Sequence, residues 1–126
     1  MKKEQLNQDL EYGFPYHYVP TFRDNFSQIF LWGWSKNYTS AIEFILSEIK
    51  KESQNIESIF DIGCGDGRLT RELSQEFQEK NIVGIDYSEK AIALAKALND
   101  DIEFYNIDIS SDTFTLKCDA ATLIEV

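Results

Sequence analysis

The sequence predicts an α/β fold, built as one parallel sheet with helices on both of its faces. Short apolar runs alternate along the chain with segments whose apolar residues recur every three or four positions. A cluster of glycines follows the first apolar run. The chain has 126 residues, which suits one domain and a core that buries roughly two-thirds of the unfolded surface.

The first helix is predicted over about residues 40–52. Ser40 and Glu43 match a capping box, in which two side chains bond backbone N–H groups at a helix start. Four apolar residues then fall on one stripe of a helix: Ile42, Ile45, Leu46 and Ile49.

Alternating strands and helices follow. Strands are predicted over residues 56–62, 81–86, 102–107 and 119–126, and helices over 67–80 and 88–98. This order predicts parallel strands joined by right-handed crossovers. Because no further element follows the last strand, its outer edge is expected either to continue a longer domain or to pair with a second copy.

The first 37 residues differ from the rest of the chain. They hold both prolines, both tryptophans and many tyrosines and phenylalanines, with no regular period. Residues 1–37 are therefore predicted to form an aromatic-rich arm that packs on a core or covers a cleft. Residues 38–126 are predicted to form the ligand-binding domain.

Composition excludes several classes of protein. The net charge is −10, and residues 56–126 carry 6 basic and 15 acidic residues, which disfavours binding to nucleic acid. No apolar run is long enough to predict a membrane span. Two cysteines, Cys64 and Cys118, are too few for a disulfide framework and are expected at opposite ends of the sheet. The expected location is the cytoplasm.

The glycine cluster runs Asp61-Ile62-Gly63-Cys64-Gly65-Asp66-Gly67, between a predicted strand and a predicted helix. Glycines there let the backbone turn sharply and approach a ligand closely. A dinucleotide-binding loop needs a third glycine where Arg68 stands, and a phosphate-binding P-loop needs a lysine that is absent. Asp66 would also oppose a pyrophosphate. The loop therefore suits a ligand without phosphates.

Asp86 ends the second predicted strand, 23 residues after Gly63. From that position a carboxylate accepts hydrogen bonds from ribose hydroxyls. Asp61 adds a second carboxylate at the carboxyl edge of the same sheet. Together with the loop, these residues indicate a nucleoside that lacks a pyrophosphate.

These residues resemble the class I S-adenosylmethionine-dependent methyltransferases of small-molecule type, over about residues 38–126. Two motifs carry the resemblance: residues 60–67 with the glycine loop, and Gly84-Ile85-Asp86-Tyr87-Ser88. The family has a Rossmann-like sheet of seven strands. The four strands predicted here would be an incomplete, N-terminal portion of it.

The resemblance implies a role for particular residues. Gly63, Cys64, Gly65 and Gly67 would lie against the methionine part of S-adenosyl-L-methionine. Asp61 would contact its amino end, Asp86 its ribose and Tyr87 its adenine. The edge of the adenine would meet Asp108 and Ile109. The last strand, which includes Glu125, would lie near the sulfonium.

The implied activity is methyl transfer to a small-molecule acceptor that the sequence does not identify. Such an in-line displacement needs alignment more than acid–base groups. No catalytic residue and no metal cluster is predicted, and His17 is expected to be a surface or packed residue rather than a base. For Tyr38 and residues 32–34, packing in the core is expected in preference to contact with a ligand.

Two alternatives remain open. One is a non-catalytic module that binds S-adenosylmethionine or S-adenosylhomocysteine, or self-associates through its open strand edge. The other is a nicotinamide-dependent dehydrogenase, which Arg68 disfavours.

Overall fold

The computed structural model describes residues 16–18, 32–110 and 117–124. The described residues form three α-helices, α1 (Trp32–Lys50), α2 (Arg68–Glu76) and α3 (Glu89–Leu98). Four strands are β1 (Ser58–Ile62), β2 (Asn81–Asp86), β3 (Glu103–Asn106) and β4 (Ala120–Leu123). Single turns of 3₁₀ helix lie at Tyr16–Tyr18 and Ser53–Asn55.

The four strands form one parallel sheet in the order β3-β2-β1-β4. The register pairs Ile59 with Ile82 across β1 and β2, and Gly84 with Phe104 across β2 and β3. The predicted parallel α/β fold is confirmed. Since β2 and β4 flank β1, the direction of winding reverses there, and such reversals are where open parallel sheets bind ligands.

All three helices pack on one face of the sheet. Ile59, Ile82 and Phe104 point to this face, where they meet apolar residues of the helices. The crossovers from β1 to β2 and from β2 to β3 advance in the same direction, so the same handedness places α2 and α3 on one side. The sequence predicted helices on both faces of the sheet. The helices formed by the described residues cover one of these faces.

Helix α1 begins eight residues before the predicted start, at Trp32 rather than Ser40. Ser40 and Glu43 are exposed on the helix surface, where both residue types are tolerated, and they do not cap it. The predicted division after residue 37 therefore falls inside one continuous helix. The capping-box prediction was wrong because the pattern of residues does not require a helix end.

The core between the sheet and the helices joins α1, α2 and the middle of the sheet. Its buried members are Ile42, Ile59, Leu69, Leu73, Phe77 and Ile82. The predicted apolar stripe of α1 packs there, with Ile45, Leu46 and Ile49 partly buried against the cluster. Among these helices, none has the length and hydropathy needed to cross a bilayer.

Candidate functional site

The glycine-rich loop leaves the carboxyl end of β1 and opens α2. Gly63, Gly65 and Gly67 have φ angles of 75°, 58° and 85°, all in the left-handed region that favours glycine. The backbone N–H groups of Gly63 and Cys64 donate to the carbonyl oxygen of Ile85, at 2.8 and 2.9 Å. The loop is thereby fixed to the carboxyl end of β2.

Asp86, the last residue of β2, is buried and faces the loop. Its Oδ2 accepts from the N–H of Gly65 at 2.8 Å, and its Oδ1 accepts from the N–H of Ser88 at 2.9 Å. The structure thus brings together the loop and the carboxylate that the sequence predicted would converge. The binding of a ribose by Asp86 stays a prediction.

Asp61 lies at the end of β1 in a different setting. Its Oδ2 accepts from the hydroxyl of Thr70 and its Oδ1 from the hydroxyl of Thr122, both at 2.8 Å. Burial raises the pKa of the Asp61 carboxyl to about 6, against the opposing effect of the two threonine hydrogen bonds. Asp61 therefore ties β1 to α2 and β4. Its contact with the amino end of a ligand stays a prediction.

Cys64 is buried within the loop. Its side chain packs with Ile92, Ala95 and Phe104, and its thiol donates to the carbonyl oxygen of Gly65 at 3.6 Å. Burial raises the pKa of the Cys64 thiol, so the thiol stays protonated and is a poor nucleophile. Both Cys64 and Cys118 are free, as expected from the sequence.

The residues predicted to meet adenine lie after β2 and β3, at the carboxyl edge of the sheet. Tyr87 follows Asp86 and is half-buried. Asp108 accepts from the N–H and the hydroxyl of Ser110, at 3.0 and 2.6 Å, and Ile109 beside it is exposed. Glu125 lies outside the described residues.

The Tyr16–Tyr18 turn is part of the site, which the sequence did not predict. The Nδ1 of His17 lies 2.8 Å from Oδ2 of Asp66, and the hydroxyl of Tyr18 donates to the carbonyl oxygen of Asp66 at 2.7 Å. These partners are 49 and 48 residues apart. No periodicity or motif links them, so only the aromatic richness of the first residues signalled that this segment packs.

The electrostatic character of the site is acidic. Asp61, Asp66 and Asp86 are all buried. Burial raises the pKa of the Cys64 thiol, and the negative charges of these three carboxylates raise it further. The guanidinium of Arg68 donates to Glu72 and to the carbonyl oxygen of His17. Such a site favours a cationic ligand over a phosphate.

A winding reversal, a glycine loop and a strand-end carboxylate define a Rossmann-like nucleoside-binding class of domain. The family model for a methyltransferase domain matches residues 59–126, which is more than half of the chain. The chain therefore belongs to the methyltransferase domain family.

Curated relatives and solved structures are similar to parts of this chain. Trans-aconitate 2-methyltransferase of Escherichia coli (strain 55989 / EAEC) is 41% identical over 56 residues, 44% of this chain and 22% of that enzyme. The plantazolicin methyltransferase BpumL, solved with S-adenosylhomocysteine (SAH), matches 96% of this chain and 49% of its own, with a TM-score of 0.54 and 22% identity. DesVI of Streptomyces venezuelae matches 79% and 43%, with a TM-score of 0.59 and 19% identity.

The chain spans less than half the length of each of these three proteins. The two solved structures confirm the Rossmann-like methyltransferase fold that the sequence predicted.

Proposed function

We propose that the protein is an S-adenosylmethionine-dependent methyltransferase that acts on a small molecule. The observation that carries the proposal is the hydrogen bond between Gly65 and the buried carboxylate of Asp86, in a member of the methyltransferase domain family. It joins the loop and the strand-end acid into one binding surface at the winding reversal.

The residues present fit the cofactor by their chemistry. S-adenosylmethionine, when bound, supplies a methyl group on a positively charged sulfur. The buried carboxylates of Asp61 and Asp86 suit such a cation, whereas they would repel a pyrophosphate. A carboxylate offers about four acceptor sites, so bonds from Gly65 and Ser88 to Asp86 are compatible with bonds from a ribose diol.

The remaining roles follow the sequence prediction. Gly63, Cys64, Gly65 and Gly67 would present backbone to the methionine part, with Asp61 toward its amino end. Tyr87 would stack on adenine and Asp108 with Ile109 would meet its edge, while Glu125 would lie near the sulfonium. In this assignment the chain's own residues bind and orient, and no general base is assigned.

The proposed acceptor is a small molecule rather than a nucleic acid. Residues 56–126 carry 6 basic and 15 acidic residues, and a surface of that charge repels a phosphate backbone. Two relatives carry trans-aconitate and plantazolicin in their names, both as methyltransferases. Free thiols at Cys64 and Cys118 favour a reducing compartment, and we place the protein in the cytoplasm.

A separate proposal concerns pairing of the protein with a partner along the β4 edge of the sheet. Strand β4 is at the edge of the four-stranded sheet, and its last residue Leu123 and the adjacent Ile124 are exposed. Pairing of this edge with a second copy remains a prediction, which sedimentation equilibrium of the protein at increasing concentration would check.

Titration calorimetry tests the cofactor assignment. The protein should bind S-adenosylmethionine and SAH and should not bind NAD. Binding of NAD alone would overturn the proposal in favour of a dehydrogenase. Incubation with methyl-labelled S-adenosylmethionine and panels of carboxylic acids, amines and phenols should then give a labelled product. Binding without transfer to any of them would favour the non-catalytic module.

A further inference from the structure

We propose that the Tyr16–Tyr18 turn is a strap that holds the glycine-rich loop in its binding conformation. His17 and Tyr18 are then positioning residues that act through Asp66. The proposal rests on the proposed function, since the loop is taken to be the cofactor loop. The strap itself stands on contacts within the chain.

The strap holds Asp66 at two points. Its side chain pairs with Nδ1 of His17 at 2.8 Å, and its main-chain carbonyl oxygen accepts from the hydroxyl of Tyr18 at 2.7 Å. Asp66 is 1% exposed, so its carboxylate needs a polar partner inside the protein. Restraint of both the side chain and the carbonyl fixes the orientation of this residue.

The strap is itself anchored to both neighbouring helices. Asn99, the C-cap residue directly after α3, donates from Nδ2 to the hydroxyl of Tyr18 at 2.7 Å. Arg68, the first residue of α2, donates to the carbonyl oxygen of His17 at 2.7 Å. Arg71 lies over the ring of Tyr18, 5.6 Å from its centroid. The turn therefore bridges α2 and α3 across the base of the loop.

The loop is a segment that gains from such restraint. Asp66 stands between Gly65 and Gly67, which both adopt positive φ. Glycines lose more conformational freedom on ordering than any other residue, so an unrestrained loop would pay for its order when a ligand binds. Fixing Asp66 before binding removes part of that cost, which raises affinity through preorganisation.

The hydroxyl of Tyr18 is suited to a permanent contact. Burial raises the pKa of Tyr18 to about 12, so the hydroxyl remains a donor throughout the physiological range. His17 is partly exposed, with 36% of its side chain open to solvent.

Three substitutions separate positioning from simple stability. His17→Ala removes the donor to Asp66, whereas His17→Asn keeps an N–H near the position of Nδ1. Tyr18→Phe removes one hydroxyl and keeps the ring. The matched control is Tyr105→Phe, because the hydroxyl of Tyr105 also donates to a carboxylate, Glu103, but on an exposed part of β3.

Two readouts are measured on each variant of the protein at a temperature where it is folded. The first is amide hydrogen exchange at Gly65 and Gly67 without ligand, with the buried β2 residue Ile85 as a reference for global unfolding. The second is the dissociation constant for SAH by calorimetry.

His17→Ala and Tyr18→Phe should speed exchange at the two glycines and weaken SAH binding, each by roughly tenfold, with Ile85 unchanged. His17→Asn should stay within about threefold of the wild type, as should Tyr105→Phe. Unchanged exchange and affinity in both His17→Ala and Tyr18→Phe would overturn the strap, and so would equal acceleration at Ile85.

The two proposals fail in distinguishable ways. If the wild-type protein does not bind SAH while the exchange effect is seen, the strap stands and the cofactor assignment falls. If SAH binds and the glycine amides do not respond to the substitutions, the strap alone is wrong.

Discussion

Asp61 and Asp86 end neighbouring strands, yet they are held in different ways. Asp86 accepts from two backbone N–H groups, one of them in the glycine loop. Asp61 accepts from two threonine hydroxyls, and burial raises its pKa to about 6. A carboxyl that costs free energy to ionise inside the fold makes stability depend on pH.

The first prediction concerns the pH dependence of stability at Asp61. The folded pKa of about 6 lies above the ordinary value of 3.8 for an aspartate, so the folded state binds the proton more tightly. The contribution of Asp61 to stability is therefore greatest below pH 4 and is lost as the pH rises through 6. Between about pH 4.5 and 7 the free energy of unfolding should drop by about 2 kcal/mol from this group alone.

Urea denaturation of the wild type and of Asp61→Asn checks this. The difference between the two should shift by that amount over the interval, in favour of the variant at higher pH. The exposed Asp100→Asn serves as the control and should parallel the wild type. Parallel curves for the wild type and Asp61→Asn would contradict the prediction.

At the residue scale the sequence placed some site residues well and missed others. The position of Asp86 was predictable because parallel strands bring their carboxyl ends to one edge. The threonine partners of Asp61 depend on side chains from α2 and β4, which no local pattern encodes. The pairing of His17 with Asp66 depends on the path of a segment 49 residues away.

At the scale of elements, the contact between β2, β3 and the start of α2 is organised by one ring. The ring of Phe104 on β3 fills the space that a side chain would need at two glycines. A Cβ atom on Gly84 would lie 2.5 Å from Cδ1 of Phe104, and a Cβ atom on Gly67 would lie 2.8 Å from Cζ of Phe104. Gly84 is in regular strand conformation, whereas Gly67 has a φ of 85°. The two glycines are thus required for different reasons.

The second prediction is that Gly84→Ala destabilises the protein and that Phe104→Leu partly rescues it. The added methyl group overlaps the ring, which costs about 1–3 kcal/mol of unfolding free energy. Leucine at position 104 is smaller and leaves room for the added methyl group. The double variant should therefore lose less unfolding free energy than the two single variants lose in sum. Chemical denaturation of the four proteins measures the coupling, and strict additivity would refute it.

The third prediction is that Phe104→Leu rescues Gly67→Ala less completely. The clash with the ring is relieved, but alanine must still adopt positive φ at the start of α2, at a cost of about 1–2 kcal/mol. The same denaturation cycle gives the comparison. Equal rescue of both alanine variants would show that backbone strain at residue 67 is unimportant.

The predicted elements were recovered most closely where local chemistry decides them. Helix α3 begins where Ser88 was expected to cap it, since the hydroxyl oxygen of Ser88 accepts from the N–H of Ala91 at 3.1 Å. Helix α1 was misplaced at its start because a serine and a glutamate three residues apart can also lie on an exposed helix face.

At the scale of the whole molecule, the alternation of strands and helices was enough to predict the parallel sheet. The order β3-β2-β1-β4 then follows from handedness plus one reversal of direction, and the reversal is what the sequence does not state. The glycine loop leaves β1, the strand at which the direction reverses, and Asp86 ends the neighbouring strand β2. Fold and candidate site therefore have a common origin in the winding of the chain.

The most direct test of the account is the affinity of the protein for SAH when Asp86 is changed to asparagine. This near-isosteric substitution keeps one oxygen that can accept from Gly65 and removes the charge that would hold the ribose. Calorimetry should show binding weakened by about 30-fold, with Asp100→Asn unchanged. Wild-type affinity in a folded Asp86→Asn protein would contradict the claim that the loop and this carboxylate form one adenosyl-binding site.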